Sequence, residues 1–579
     1  MNLKNAIKTV QLFKKREELK EMYTPWGENI DEEHILEEYP RPQMRRRNYT
    51  MLNGLWSYAF SKHADMPINY EGEILVPFSP ESLLSKVKKQ LQPHEYLWYK
   101  KEFDVEYNDN KRLILHFGAV DQICDIYINN NRIYHHIGGY LPFEIDITDY
   151  LLEHNELIVC VQDFSDKSYH AKGKQRLKNG GMYYTAQSGI WQSVWYEWVN
   201  DIYIKDVHIV PVYDYDRINI YIDTNAPIHT PVTFQIDDQP VITQDLTYEN
   251  VIPVMHKVSW TPDYPHLYYL KINLEDDEVI CYFAMRCFTI EKDEQNIPRI
   301  CLNHHPLFLH GVLDQGYYSD GLYTPPSDEA IINDIQQMKD LGFNTIRKHC
   351  KIESARWYYH CDHMGMIVMQ DMINGGEAYH TWYVTYMPTL LKQTQGFSDK
   401  LSYLLARDNE AGKQEFEQEC LDTIDALSYF PSIACWVLFN EGWGQFDTCR
   451  LTDVIREKDP TRLIDSSSGW FDQGCGDFKS EHHYFDEPTV PIDERAYLLS
   501  EYGGFILKVD NHVSVEASYG YQTYENSKDL QEAFKNYKDN ILKPLIPKGL
   551  CGAIYTQLSD IEEEINGILT YDRKINKFK

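Results

Sequence analysis

The stretch Ala434-Cys435-Trp436-Val437-Leu438-Phe439-Asn440-Glu441 ends an apolar run on a carboxylate and passes at once into Gly442-Trp443-Gly444. A second stretch repeats the design: Ala496-Tyr497-Leu498-Leu499-Ser500-Glu501, followed by Tyr502-Gly503-Gly504. A glutamate that closes an apolar strand and faces a glycine-rich loop is poorly placed for a core and well placed for a cleft. In a (β/α)8 barrel the carboxyl ends of the strands line the active site. Two such carboxylates suit cleavage of a glycosidic bond, in which one protonates the leaving oxygen and the other attacks the sugar.

Around these two stretches the chain after Pro298 alternates strand and helix. The strand-like runs are Leu307–Leu313, Thr345–Lys348, Met366–Gln370, Ala434–Phe439, Arg462–Asp465, Ser480–Tyr484, Tyr497–Ser500 and Gly552–Leu558. Ser327 is an N-cap candidate for a helix over Ser327–Leu341, with Asp328 and Glu329 in its first turn. Residues 291–579 are therefore expected to form a C-terminal (β/α)8 TIM barrel. Upstream, residues 46–200 read as short alternating runs, with an Asn129-Asn130-Asn131 tract suited to a hairpin, and predict a β jelly-roll sandwich. Residues 201–290 hold strands at regular spacing and predict a small immunoglobulin-like β-sandwich. Residues 1–45 read as a lead-in with an amphipathic helix over 5–22. The fold class is thus multidomain, two β-sandwiches followed by a barrel.

The 579 residues exceed one ordinary core. A formal charge of −32 excludes polyanionic partners, so neither nucleic acid nor an anionic membrane surface is expected. The clusters Lys14-Lys15-Arg16 and Arg45-Arg46-Arg47 read as solvated faces. No apolar run reaches the length of a membrane span, and the first residues lack the apolar core of a secretory signal. The 12 cysteines show no metal-like spacing and read as reduced thiols, which places the protein in the cytoplasm with no metal site and no cofactor.

The chain resembles glycoside hydrolase family 2, the family of β-galactosidases, β-glucuronidases and β-mannosidases. The resemblance runs from Tyr39-Pro40-Arg41-Pro42-Gln43 and Leu52-Asn53-Gly54-Leu55-Trp56 through Ser188-Gly189-Ile190-Trp191-Gln192. It continues through Trp260-Thr261-Pro262 to Phe439-Asn440-Glu441 and Ser500-Glu501-Tyr502-Gly503. It implies a retaining exo-β-glycosidase, with Glu501 as nucleophile, Glu441 as acid/base, Asn440 on the sugar 2-hydroxyl, and Arg347 and Tyr484 steadying the nucleophile.

Strand parity puts Arg347, His349 and Lys351 on one face. Asp314, Asp371 and Asp560 end strands one, three and eight, where they can meet sugar hydroxyls. Trp443 and Trp470 follow strands four and five, where a ring can stack on a sugar.

Departures from the family pattern narrow the substrate. Leu313-Asp314-Gln315 stands where many members have Asn-Arg/Lys-His. Glutamate and asparagine in Glu564-Ile565-Asn566, before Gly567-Ile568-Leu569-Thr570, replace the Asn-x-Lys pair that glucuronidases use for the substrate carboxylate. The reading is therefore a β-glycosidase acting on small oligosaccharides or glycosides with a terminal neutral sugar, a β-galactoside first. A glucuronidase, a pentosidase or furanosidase, and a non-catalytic carbohydrate-binding protein are the alternatives. The short stretch after strand eight leaves little room for a full eighth helix, so closure there is expected to be irregular or completed by a second copy of the chain, as a homo-oligomer. The candidate loop of the jelly roll reaching the barrel mouth is Tyr183 to Gln187.

Overall fold

A computed structural model describes residues 18–106, 111–380, 382–388, 397–484 and 486–579. Parallel strands buried on both faces need near-continuous apolar runs, and the eight runs read from the sequence all become strands of one 8-stranded sheet. In chain order these are Leu309–Asp314, Thr345–Lys348, Ile367–Asp371, Ile433–Val437, Leu463–Asp465, Phe478–His483, Ala496–Gly503 and Leu550–Thr556. The first strand pairs with the second and with the eighth, and every pairing in the sheet is parallel. The fifth and sixth strands meet through Asp477, whose N–H donates to Ile464 O at 2.9 Å and whose carboxylate accepts from Ile464 N at 2.7 Å. The barrel is thereby closed.

The helix Asp328–Asp340 starts as its sequence predicts: Ser327 Oγ accepts from Ala330 N, with Asp328 and Glu329 in the first turn. Helices Ala355–Met364, Glu410–Leu427, Thr448–Lys458 and Ser527–Asn536 follow strands two, three, four and seven. After strand eight the chain itself fills the space that a last helix would occupy. Ile568, Leu569 and Tyr571 are buried there, and Arg573 bonds Asp334 of the first helix at 3.1 Å.

Upstream, a 6-stranded and a 4-stranded antiparallel sheet enclose a core that includes Trp56, Tyr99, Leu115, Phe117, Ile126 and Val159. Strand Ile123–Ile128 alternates strictly, burying Cys124, Ile126 and Ile128, and turns at Asn129 and Asn130, both at positive φ, into Asn131–Ile137. Next comes a pair of smaller sheets around Ile218, Ile220, Phe234, Leu270 and Ile272.

Three expectations change. Most of the expected helix over 5–22 lies outside the described residues; 18–22 carry no helix, and Met44–Arg45 instead forms a strand paired with Asp277–Phe283. Arg46 is not solvated: it is buried, donating to both Asp277 oxygens and to Ile204 O. Cys449 and Cys475 are joined in a disulfide, with Cα atoms 5.5 Å apart, between the start of helix Thr448–Lys458 and the loop after strand five. Their separation of 26 residues gives no sequence signal for the pairing.

Candidate active site

Strand four delivers Asn440 and Glu441 just past its last ladder residue. Glu441 N donates to Ser468 O at 2.9 Å, and Glu441 sits at φ 52°, a left-handed conformation that costs a side-chain-bearing residue about 1–2 kcal/mol. Such strain persists where the surrounding structure over-determines it, typically at a functional position. Arg347 Nη2 donates to Asn440 Oδ1 at 2.9 Å, so the amide oxygen is fixed, and among the described residues Nδ2 has no acceptor.

Strand seven carries Glu501 through an irregularity in its ladder. Its pairing with strand six shifts so that Leu499 faces Glu481 and Glu501 faces His482. An extra residue of this kind re-aims the side chain that follows it. Glu501 Oε1 accepts from Arg347 Nη1 at 3.1 Å, and Oε2 accepts from Tyr484 Oη. Burial alone would raise the Glu501 carboxyl, but the charges of His482, Arg347, His349 and Lys174 outweigh it and hold it low, at about 2. Glu501 is thus a carboxylate that stays ionised. Burial and the Glu501 charge together push the Tyr484 hydroxyl well above its ordinary value, so it remains a donor.

His482 binds the two glutamates together. Its Nδ1 is 3.0 Å from Glu441 Oε1, while Nε2 is 2.9 Å from Ser468 Oγ and 3.5 Å from Glu501 Oε1. One ligand atom each from Glu441, His482 and Glu501 all lie within 4.8 Å of one another. That trio is also the group of described residues close enough to share a metal ion. Both ring nitrogens of His482 already have hydrogen-bond partners, which suits a positioning histidine. His482 was missed from sequence, although period-2 alternation puts it on the same face as Tyr484.

The remaining candidates separate by the face they take. Asp371 points inward, but both its oxygens are taken: Arg347 donates to them at 2.9 and 2.8 Å, and His349 Nδ1 lies 2.6 Å away. Burial would raise Asp371, and Arg347 and His349 hold it down, so it is a buried counter-ion that orients both. His349 keeps Nε2 without a hydrogen-bond partner. Burial is the main reason that its imidazole is pushed below the usual value.

Asp314 was expected at the sugar and is not. It pairs in register with Lys348, one residue out of phase with Arg347, and so faces the helix layer. There it accepts from Lys348 Nζ and Gly316 N. Glu353 accepts from Lys348 at 2.8 Å and from Lys351 at 2.7 Å. Lys351 leaves the face of Arg347 because the strand ends at Lys348 and Cys350, at φ 53°, breaks the alternation.

Asp560 is likewise committed elsewhere, accepting from Lys577 Nζ at 2.7 Å and Gly567 N at 2.8 Å, with burial pushing it up to about 6. Trp443 is only 1% exposed, enclosed by Tyr183 and Tyr379 at ring distances of 5.9 and 5.7 Å, and offers no free face. Trp470 is partly exposed and sets its ring against His482 at 5.3 Å, beside the carboxylates.

The sandwich loop over 172–187 does reach the barrel mouth. Gly181 N and Thr185 N donate to Glu563 and Glu562, and Tyr184 Oη donates to Glu564. Gly173 makes the approach: at φ 55°, a Cβ there would lie 2.4 Å from Cys350 O. The next residue, Lys174, is 7% exposed, with its Nζ 5.7 Å from the ring of Trp443, the residue two after Glu441. Nothing in the local sequence distinguishes it from the neighbouring Lys172.

Residues 85–197 match the sugar binding domain of glycosyl hydrolases family 2, and residues 295–551 match the TIM barrel domain of the same family. A β-galactosidase from Thermoanaerobacter pseudethanolicus is 25% identical over 315 residues, covering 48% of this chain and 41% of its own length. A β-galactosidase from Lactococcus lactis is 25% identical over 460 residues, covering 70% of this chain and 41% of its own. The chain thus spans less than half the length of these curated relatives. Among solved structures, a β-D-glucuronidase from Dictyoglomus thermophilum superposes with a TM-score of 0.71 at 16% identity, covering 93% of this chain and 97% of that one. A β-galacturonidase from Eisenbergiella tayi, bound to galacturonate, gives a TM-score of 0.68 at 17% identity with the same coverages. At such identities the superpositions speak for the fold.

Proposed function

The chain belongs to glycoside hydrolase family 2, and on that premise we propose that it is a retaining exo-β-glycosidase acting on a terminal neutral sugar, a β-galactoside first. The observation that carries this reading is the placement of carboxylate oxygens of Glu441 and Glu501 within 4.8 Å of each other. Retention needs the two carboxyl groups only about 5–5.5 Å apart, whereas inversion leaves room for a water between them.

In the first step Glu501 attacks the anomeric carbon. The bond to the aglycone oxygen breaks, and that oxygen takes the proton of Glu441. Water then enters, gives its proton to Glu441, and its oxygen displaces Glu501. Arg347 and Tyr484 hold the nucleophile's two oxygens, so it starts ionised and aimed. Asn440 Nδ2 is the donor left for the 2-hydroxyl, and Trp470 is the ring left for stacking. Lys348 at the end of strand two and Lys351 just beyond it, cations that a charged substrate could call on, are consumed by Asp314 and Glu353 outside the cleft.

We place the protein in the cytoplasm: ten cysteines are free and nine of these are buried, although Cys449–Cys475 is paired. No helix among the described residues is long and apolar enough to cross a membrane.

The test is turnover of a panel of nitrophenyl β-glycosides, both pyranosides and furanosides, with Glu501→Gln alongside. One sugar cleaved by the natural chain and a loss of at least about 10⁴-fold in the variant are expected. Unchanged turnover in Glu501→Gln would refute the assignment.

A further inference from the structure

We propose that Lys174 is a specificity-determining residue of this site: with Glu564 it forms a separated pair of opposite charges that grips the hydroxyls of an uncharged sugar and disfavours a uronate. The inference rests on the glycosidase reading above and deepens it. Lys174 comes from the sandwich loop, not from the barrel, and the strongest charges acting on its ammonium include Glu564, Glu501 and Glu441. Its Nζ lies 5.7 Å from the ring of Trp443, and that ring lies 6.4 Å from the ring of His349.

Three observations carry the argument. First, Lys174 is 7% exposed, yet among the described residues its ammonium makes no hydrogen bond and no carboxylate lies within 4.0 Å. Its near neighbours are the ring faces of Tyr184 and Trp443, at 5.8 and 5.7 Å. An ammonium with three donors and no protein acceptor is free to give them to the oxygens of a ligand.

Second, Glu564 is 4% exposed and held in place, accepting from Tyr184 Oη and from Asn566 Nδ2 at 3.0 Å. Asn566 Oδ1 accepts in turn from Gln557, and Gln315 Nε2 donates to Gln557 Oε1 and to the Tyr184 hydroxyl. The carboxylate is thus fixed by neutral partners, one of them Tyr184, whose ring lies 5.8 Å from Lys174 Nζ.

Third, the gap between the two exceeds a direct ion pair. A sugar hydroxyl is both donor and acceptor, so hydroxyls can take a hydrogen bond from the ammonium and give one to the carboxylate. A uronate would gain Lys174 but would bring a third negative charge beside Glu564 and Glu501. Like charges in a buried site are costly.

The test uses the full chain and a pair of substrates: the nitrophenyl neutral glycoside that the natural chain cleaves, and the uronide of the same sugar. Lys174→Met should raise KM for the neutral glycoside by about 10- to 100-fold, with kcat changed far less, because the contact serves ground and transition states alike. Glu564→Gln, which keeps the side chain's shape and one of its two accepting oxygens, should raise the uronide-to-neutral ratio of kcat/KM by at least about 10-fold. Binding of galactose and galacturonate by calorimetry gives a readout independent of turnover. A KM for Lys174→Met within about twofold of the natural value, or an unchanged ratio in Glu564→Gln, overturns the pair while leaving the reaction standing. Lys174-dependent sugar binding in a chain that turns nothing over would support the pair and sink the reaction.

Discussion

Two buried charge networks lie back to back on strand two, and consecutive residues belong to opposite ones. Lys348 faces the helix layer, where it and Lys351 meet Asp314 and Glu353 with contacts of 2.8 Å or less. Arg347 faces the barrel axis and meets Asp371, Glu501 and Asn440. The outer network is closed on itself. The inner one is left open: among the described residues His349 Nε2 has no hydrogen-bond partner, and Asn440 is held through its Oδ1 by Arg347. The lesson is that burial of charge does not mark a site; unspent hydrogen-bonding capacity does.

Breaking the inner network should cost most. Arg347→Met leaves Asp371 and Glu501 uncompensated, so kcat/KM should fall by at least about 10³-fold, and chemical denaturation should show a loss of about 3–5 kcal/mol. The same variant should move the acid limb of the pH profile upward, because Arg347 is one of the cations that hold Glu501 low, at about 2. In the natural chain Glu501 lies lower folded than the 4.5 of a free glutamate. Its ionised form therefore contributes stability above that value, and this is lost as pH falls toward 2. A limb that stays put in Arg347→Met would show that Arg347 does not act on the nucleophile.

Breaking the outer network should cost stability alone. Lys348→Met leaves Asp314 buried without its cation, and denaturation should show a loss of about 3–5 kcal/mol. The kcat/KM of the folded fraction should stay within about threefold. A large loss of kcat/KM with stability intact would place Lys348 in the cleft after all. The smallest effect expected is at the rim, where Trp470→Ala should raise KM by about tenfold through lost ring stacking, with stability nearly unchanged. An unchanged KM would remove Trp470 from the sugar site.

The same two networks show what the sequence could reveal. Barrel strands were legible because parallel strands are apolar on both faces, and Ile433–Val437 and Ala496–Gly503 are buried throughout. Glu441 and Glu501 stood out as carboxylates closing apolar strands, whereas Asn440, Arg347 and Tyr484 came with the resemblance to the family. Asp314 was misread because a strand end has two faces, and only the register with Lys348 tells which one it takes. Lys351 was misread because alternation stops where Cys350 turns left-handed. Lys174 was not legible at all: its place depends on a sandwich loop meeting the barrel, a contact between residues far apart in the chain. The disulfide escaped for the same reason.

The most direct measurement is mass spectrometry of the chain after incubation with an activated 2-deoxy-2-fluoro glycoside of the cleaved sugar, which slows release of a covalent intermediate. The account predicts one glycosyl group per chain, located on Glu501, with no labelling of Glu501→Gln. A label on another residue, or turnover of the parent glycoside with inversion at the anomeric carbon, would contradict it.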